Sequence, residues 1–203
     1  MEPLFLPFQR CTIIYICFTQ IKQDKMKIIA FAGSNSKHSI NKKLATYAAS
    51  LFNEPDTEIL DLNDYTMPLF SVDLEKEIQT PEAIGRFLAK IASADLLVVS
   101  MAENNSSFNA GFKNLFDWNS RIEAKQFQGK KMLLMATSPG KRGGASVLES
   151  ALNIFPRHGA EIVGSFSLPS FNENFKEGKG ITNKDLDDQL KKIVQEVKLK
   201  VES

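Results

Sequence analysis

The chain has 203 residues, 43% hydrophobic and 24% charged, which suits one α/β domain with a sizeable core. A formal net charge of +1 gives no field strong enough to draw nucleic acid or an anionic membrane. Two cysteines, Cys11 and Cys17, are too few for a disulfide framework or a zinc site. No apolar run reaches the ~18 residues of a membrane span.

Residues 1–25 show no clear hydrophobic period. They are expected to be an upstream extension, either a non-native start or disordered, with the domain spanning 26–203. The alternative is an arm that packs against the domain or targets it. The apolar stretch at 11–18 is short, and its only preceding base is Arg10, which makes a poor signal peptide. From Met26 onward cysteine is absent, in keeping with a reducing, cytoplasmic location.

The first buried strand is predicted at about 27–32, Lys-Ile-Ile-Ala-Phe-Ala. A helix follows at about 40–52, with Ile40, Leu44, Tyr47, Ala48 and Leu51 on one face. A second strand is placed at about 57–62. Thr80 and Pro81 then read as N-cap and first residue of a helix that buries Ile84, Phe87, Leu88 and Ile91. The third strand is 95–100. The next helix carries Phe108, Phe112, Leu115 and Phe116, with Trp118 off that stripe and available for a subunit contact. The fourth strand is 131–137. Its helix carries Val147, Leu148, Ala151, Leu152 and Phe155, and ends near Pro156. His158 follows in a helix-ending turn and reads as structural. The fifth strand is 161–166. Thr182 to Asp185 reads as a capping box for a last helix that buries Leu186, Leu190, Ile193, Val194 and Val197. Strands alternating with helices in this way predict a doubly wound parallel sheet with helices on both faces. Ligands in such sheets bind beyond the carboxyl ends of the strands.

Three loops lie at those ends. The loop after the first strand holds Gly33, Ser34, Ser36, His38, Ser39 and Asn41 directly before a helix, a donor-rich place for a phosphate monoester. It reads equally as a polar turn with Ser39 as a simple N-cap. The glycine pattern of dinucleotide folds and the Walker pattern are both absent. After the third strand come Ala102, Glu103, Asn104, Asn105, Ser106 and Ser107, whose amides and backbone could bond the edge of a planar heterocycle or cap the next helix. After the fourth come Ser138, Pro139, Gly140, Gly143 and Gly144, where backbone could approach a flat ligand closely. No metal-ligand spacing surrounds either histidine, and there is no G-x-S-x-G elbow. With no obvious protein nucleophile or base, a bound cofactor would carry the chemistry.

Taken in order, these loops resemble the NADPH-dependent FMN reductase family, which includes quinone and azo reductases. The resemblance runs from about Lys27 to Phe171. Gly33, Ser34, Ser39, Asn41 and Leu44 are similar to that family's phosphate loop, and 113–121, KNLFDWNSR, to its L-K-N-a-h-D-W-x-S-R stretch. Ser138, Pro139, Gly140, Gly143 and Gly144 resemble its S-P-G-x-x-G-G loop. The resemblance implies a flavodoxin-like fold with a five-stranded parallel sheet in the order 2-1-3-4-5. It also implies FMN held by these three loops, NADPH or NADH as hydride donor, and a small-molecule electron acceptor such as a flavin, quinone or azo dye. It further implies a homodimer or homotetramer. The sequence departs from the family's P-E-Y-N-x-S stretch, with Ala102 for proline and Asn104 for the aromatic. Backbone groups survive that change, whereas an aromatic wall is lost, which leaves the acceptor open. Two rival readings are a flavodoxin-like electron carrier and a non-enzymatic flavin-binding regulator. Carriers are usually strongly acidic. Setting aside residues 1–25 removes three basic and two acidic residues and leaves 22 of each, which disfavours the carrier.

Overall fold

The computed structural model describes residues 25–202; the predicted extension lies outside them, apart from Lys25. Five strands form the parallel sheet: β1 (Ile28–Gly33), β2 (Thr57–Leu60), β3 (Leu96–Asn104), β5 (Lys131–Thr137) and β6 (Glu161–Leu168). Their order is β2-β1-β3-β5-β6, and a two-residue strand, β4 (Ser107–Phe108), pairs antiparallel with the end of β3. This is the predicted 2-1-3-4-5 order. The helices are α1 (Ile40–Ser50), α2 (Val72–Glu77), α3 (Glu82–Ser93), α4 (Ala110–Ile122), α5 (Ala145–Ile154), α6 (Phe171–Asn174) and α7 (Lys184–Glu202). A small hairpin of β7 (Phe175–Lys176) and β8 (Gly180–Ile181) precedes α7. No helix of the described residues is long and apolar enough to cross a membrane.

The strands are apolar throughout because both faces are covered. Side chains alternate across the sheet. Ile29, Phe31, Leu97, Val99, Met132 and Leu134 form one core layer with α3, α4 and α5. Ile28, Ala30, Leu96, Val98, Leu133 and Met135 form the other with α1 and α7. In the first layer the fully buried Phe155 ring lies within 5.9 Å of the rings of Phe108, Phe112, Phe116 and Phe127.

Several local expectations are corrected. β2 stops at Leu60, because Asp61 accepts from the Asn63 backbone and starts a 3-10 turn over Leu62–Tyr65. Pro81, not Thr80, is the N-cap of α3, and its ring has no acceptor with which to cap the helix. Asn183, not Thr182, caps α7, its Oδ1 accepting from Asp185 N and Leu186 N. Leu152 is exposed. Trp118 is 1% exposed within a single chain and so cannot supply a subunit contact. It packs with Ile84 and Leu88, and its indole N–H donates to the Pro68 carbonyl at 2.8 Å. His158 is half-buried against Phe116, with its Nδ1 3.1 Å from the Ala124 carbonyl.

Candidate cofactor site

β3 lies between β1 and β5, so the carboxyl ends of the three strands are side by side and open into one cleft of about 280 Å³. Its first wall is the loop from Ser34 to α1. Ser34 Oγ accepts from Ser36 N at 3.2 Å, Ser36 Oγ from His38 N at 3.3 Å, and Ser39 Oγ from Lys42 N at 3.1 Å. Each hydroxyl is therefore already used as an acceptor. None of the three gives its own hydrogen to another group among the described residues. Three unspent O–H donors thus face one space. The leading amides of α1 add to them, since the first turn of a helix has no internal acceptor for its N–H groups. A donor set of this kind, with no cation reaching in, fits a compact oxyanion such as a phosphate monoester. The nearby Lys42 is engaged elsewhere, at 2.6 Å from Asp61. Burial pushes the Asp61 carboxyl up, but hydrogen bonds from Lys42 and Asn63 outweigh it and hold the group below the usual carboxylate range.

Asn41 fixes this wall to the sheet. It is 3% exposed. Its Oδ1 accepts from Ser100 Oγ at 2.7 Å and from Thr137 N at 3.0 Å, and its Nδ2 donates to Thr137 O at 3.1 Å. One amide therefore ties α1 to β3 and β5 together. Thr137 in turn donates its hydroxyl to Leu168 O on β6.

The second wall is Ala102, Glu103 and Asn104. The stretch is polar like a loop, but β3 runs on to Asn104. Asn105 (φ 49°) and Ser106 (φ 61°) then make a tight two-residue hairpin turn into β4. Asn105 and Ser106 form the turn, and Ser107 begins β4. Glu103 Oε2 accepts from Val147 N at 3.1 Å in the first turn of α5, whose N-cap, Gly144, has no capping side chain. The carboxylate serves as a remote cap, and its charge suits the helix end. Glu103→Gln keeps the acceptor and loses the charge, so it should lower stability by under about 1 kcal/mol. Thermal melts would check this, and a loss several times larger would mean that Glu103 holds more than the helix end.

Asn109 was not anticipated. It caps α4 through Oδ1, while its Nδ2 donates to Asn35 Oδ1 at 3.1 Å and to Asn104 Oδ1 at 3.2 Å. It thus bridges the first and second walls. An asparagine directly before an amphipathic helix was the available signal.

Ser138 and Pro139 form the third wall. Gly143 and Gly144 beyond them approach their own chain closely. A Cβ on Gly143 would fall 2.4 Å from Ser167 Oγ and 2.9 Å from Pro169 N. One on Gly144 would lie 3.0 Å from the Ala136 Cβ. Ser170 N donates to Gly140 O, and Phe171 N donates to Ser138 O, so the loop is laced to the exit of β6. Gly33 is buried in β1, where a Cβ would meet the Met101 side chain. Of the residues expected from sequence, Ser34, Ser36, His38, Ser39, Asn41, Ala102, Glu103, Asn104, Ser138 and Pro139 line the cleft. Gly33, Asn105, Ser106, Ser107, Gly140, Gly143 and Gly144 do not. Ile40, Asn109 and Thr137 join it unpredicted.

A doubly wound parallel sheet with a serine-lined cleft at the carboxyl ends of β1, β3 and β5 defines an α/β protein with its site at the strand ends. The model of the NADPH-dependent FMN reductase family matches residues 26–173. The chain belongs to that family of oxidoreductases, whose cofactor is FMN and whose hydride donor is NAD(P)H. It is 26% identical over 180 residues to an NAD(P)H-dependent FMN reductase of Pseudomonas aeruginosa, covering 85% of this chain and 91% of that one. It is 30% identical over 127 residues to a quinone reductase of Escherichia coli, covering 60% and 65%. Its fold is similar to that of an NAD(P)H:acceptor oxidoreductase of Paracoccus denitrificans, with a TM-score of 0.68 at 23% identity and coverage of 87% and 97%.

Proposed function

We propose that the chain holds FMN in the cleft between β1, β3 and β5 and passes reducing equivalents from NADPH or NADH to a small acceptor of the flavin, quinone or azo type. The observation that carries this reading is the set of three serine hydroxyls with unspent donors. Ser34, Ser36 and Ser39 would hold the phosphate. Ala102, Glu103 and Asn104 would border the ring on one side, and Ser138 and Pro139 on the other. The bound flavin supplies the hydride-accepting and electron-donating chemistry. The chain's own part is to bind, orient and shield it. A quinone-type acceptor is favoured by the relatives named for that activity.

The test is a rapid-mixing experiment on the FMN-loaded protein without oxygen. NADPH or NADH should bleach the flavin absorbance in a single phase, and steady-state kinetics with a quinone should be ping-pong. A protein that binds FMN but is bleached by neither nucleotide would be an electron carrier instead.

Leu69, Val72 and Ile122 leave apolar side chains exposed. They support a homodimer or homotetramer as part of the same proposal. A cytoplasmic location also belongs to it, in keeping with the cysteine-free sequence from Met26 onward. A protein begun at Met26 should fold and bind FMN as tightly as the full chain. Insolubility or loss of FMN would give residues 1–25 a structural part.

A further inference from the structure

Asn35, Asn104 and Asn109 meet at one side of the cleft, and Asn109 sets which way the other two point. Its Oδ1 caps α4, accepting from Gly111 N at 3.0 Å and from Phe112 N at 3.2 Å. Two helix amides need an oxygen there, so this carboxamide cannot turn over. Its Nδ2 is therefore aimed outward and gives one hydrogen to Asn35 Oδ1 at 3.1 Å and the other to Asn104 Oδ1 at 3.2 Å. A donor on one side demands an oxygen on the other. Asn35 and Asn104 must each present Oδ1 to Asn109, which turns each Nδ2 away from it. Neither of those amino groups has an acceptor among the described residues.

Asn104 is exposed and lines the cleft. On the same wall Ala102 has no polar side chain, and the Glu103 carboxylate is an acceptor already used by Val147 N. Asn104 thus carries the only side-chain N–H of that wall, at the position where the family stretch has an aromatic face. Among the described residues no lysine or arginine lines the cleft, so a neutral amide is what this wall offers to a developing charge. Carbonyl-bearing acceptors develop one. A quinone that takes up hydride, the two electrons and one proton that NAD(P)H supplies, is one proton short of the hydroquinone. It then carries negative charge on oxygen until water gives the last proton. A hydrogen bond to a charged oxygen is stronger than one to a neutral carbonyl, so a fixed amide donor favours the step and not merely the binding.

We propose that Asn104 selects the acceptor: its Nδ2, turned into the cleft by Asn109, donates to the oxygen of a carbonyl-bearing acceptor as that oxygen gains charge. The inference rests on the reading of the cleft as the flavin site. Asn109 is a positioning residue, acting through Asn104 and not on the acceptor itself. The chain thereby exchanges an aromatic wall, which suits any flat molecule, for a donor that suits oxygen.

The experiment is steady-state turnover of the full-length, FMN-loaded protein with NADPH or NADH and each of two acceptors. These are menadione, a quinone, and ferricyanide, which takes electrons without forming an oxyanion. The quantity read is the ratio of their kcat/KM values, in which any change in flavin seating is shared by both. Asn104→Leu keeps the size and removes the donor, and the menadione-to-ferricyanide ratio should fall by about ten-fold or more, the worth of one hydrogen bond to a charged group. Asn109→Ser keeps a cap on α4 but loses the Nδ2 that orients Asn104. The ratio should fall in the same direction by a smaller factor, although Asn104 is intact. A ratio that stays within about two-fold in Asn104→Leu would overturn the assignment of Asn104 and leave the flavin site standing. A fall in Asn104→Leu with none in Asn109→Ser would overturn the orienting part given to Asn109. Unaltered protein that holds no FMN would overturn the cofactor reading and this one with it.

Discussion

Asn41→Leu should destabilise the protein by about 3–5 kcal/mol and abolish FMN binding. The side chain is nearly isosteric, so the loss comes from polar groups and not from a cavity. Leucine leaves the Ser100 hydroxyl and both backbone groups of Thr137 without the partner they have now. A buried polar group left unsatisfied costs about 1–3 kcal/mol, and three neighbours add less than three times that. Ser100 and Thr137 are 0% and 1% exposed, so water cannot substitute. The loss also frees α1 from β3 and β5, and with it the serine loop. Asn41→Asp keeps the acceptor for Ser100 and the Thr137 amide but sets a carboxylate oxygen against the Thr137 carbonyl. It should fall between the wild type and the leucine variant. Urea unfolding followed by FMN titration would check both. An Asn41→Leu protein that unfolds at the wild-type urea concentration would show that the amide ties nothing together.

The double variant Ser34→Ala, Ser36→Ala should weaken FMN by about a hundred-fold or more with little change in riboflavin affinity. A hydrogen bond to a charged group is worth about 1.5–3 kcal/mol, so each hydroxyl supplies about ten-fold or more. These two are chosen because neither caps a helix. Ser39 does, and Ser39→Ala would mix a lost phosphate contact with a frayed α1. Since riboflavin lacks the phosphate, it should bind poorly to both proteins. Equal affinity of the unaltered protein for FMN and riboflavin would remove the phosphate from this loop.

Long-range order was legible in the sequence because parallel strands covered on both faces are continuously apolar, and each such run here is followed by a helical period. β1, β3 and β5 fall where the apolar runs fall. What escaped were features set by competition between local polar groups. Asp61 ends β2 early because its carboxylate bonds its own downstream backbone. Asn183 outcompetes Thr182 as a cap because its Oδ1 reaches two amides at once. The stretch from Asn104 to Ser107 is polar enough to read as a loop, yet two left-handed residues let it fold back as a hairpin.

In the site, residue type showed more than direction. The hydroxyls before α1 were legible as a group, and Ser34, Ser36 and Ser39 line one cleft. The close approach suggested by Gly143 and Gly144 is present, but its partner is the chain itself at Ser167, Pro169 and Ala136. Asn41 lines the cleft, and its amide oxygen is also taken up by Ser100 and Thr137. Sequence alone does not say which way an asparagine points. Asn109 was passed over because its role depends on Asn35 and Asn104, which lie 74 and five residues away.

The amide of Asn41 makes the serine loop, β3 and β5 answer to a single joint. A change at Ser100, which is 0% exposed and beyond the reach of any ligand, would therefore be felt at the loop. What a chain can tolerate at that buried position is set by the loop it steadies as well as by the room in the core.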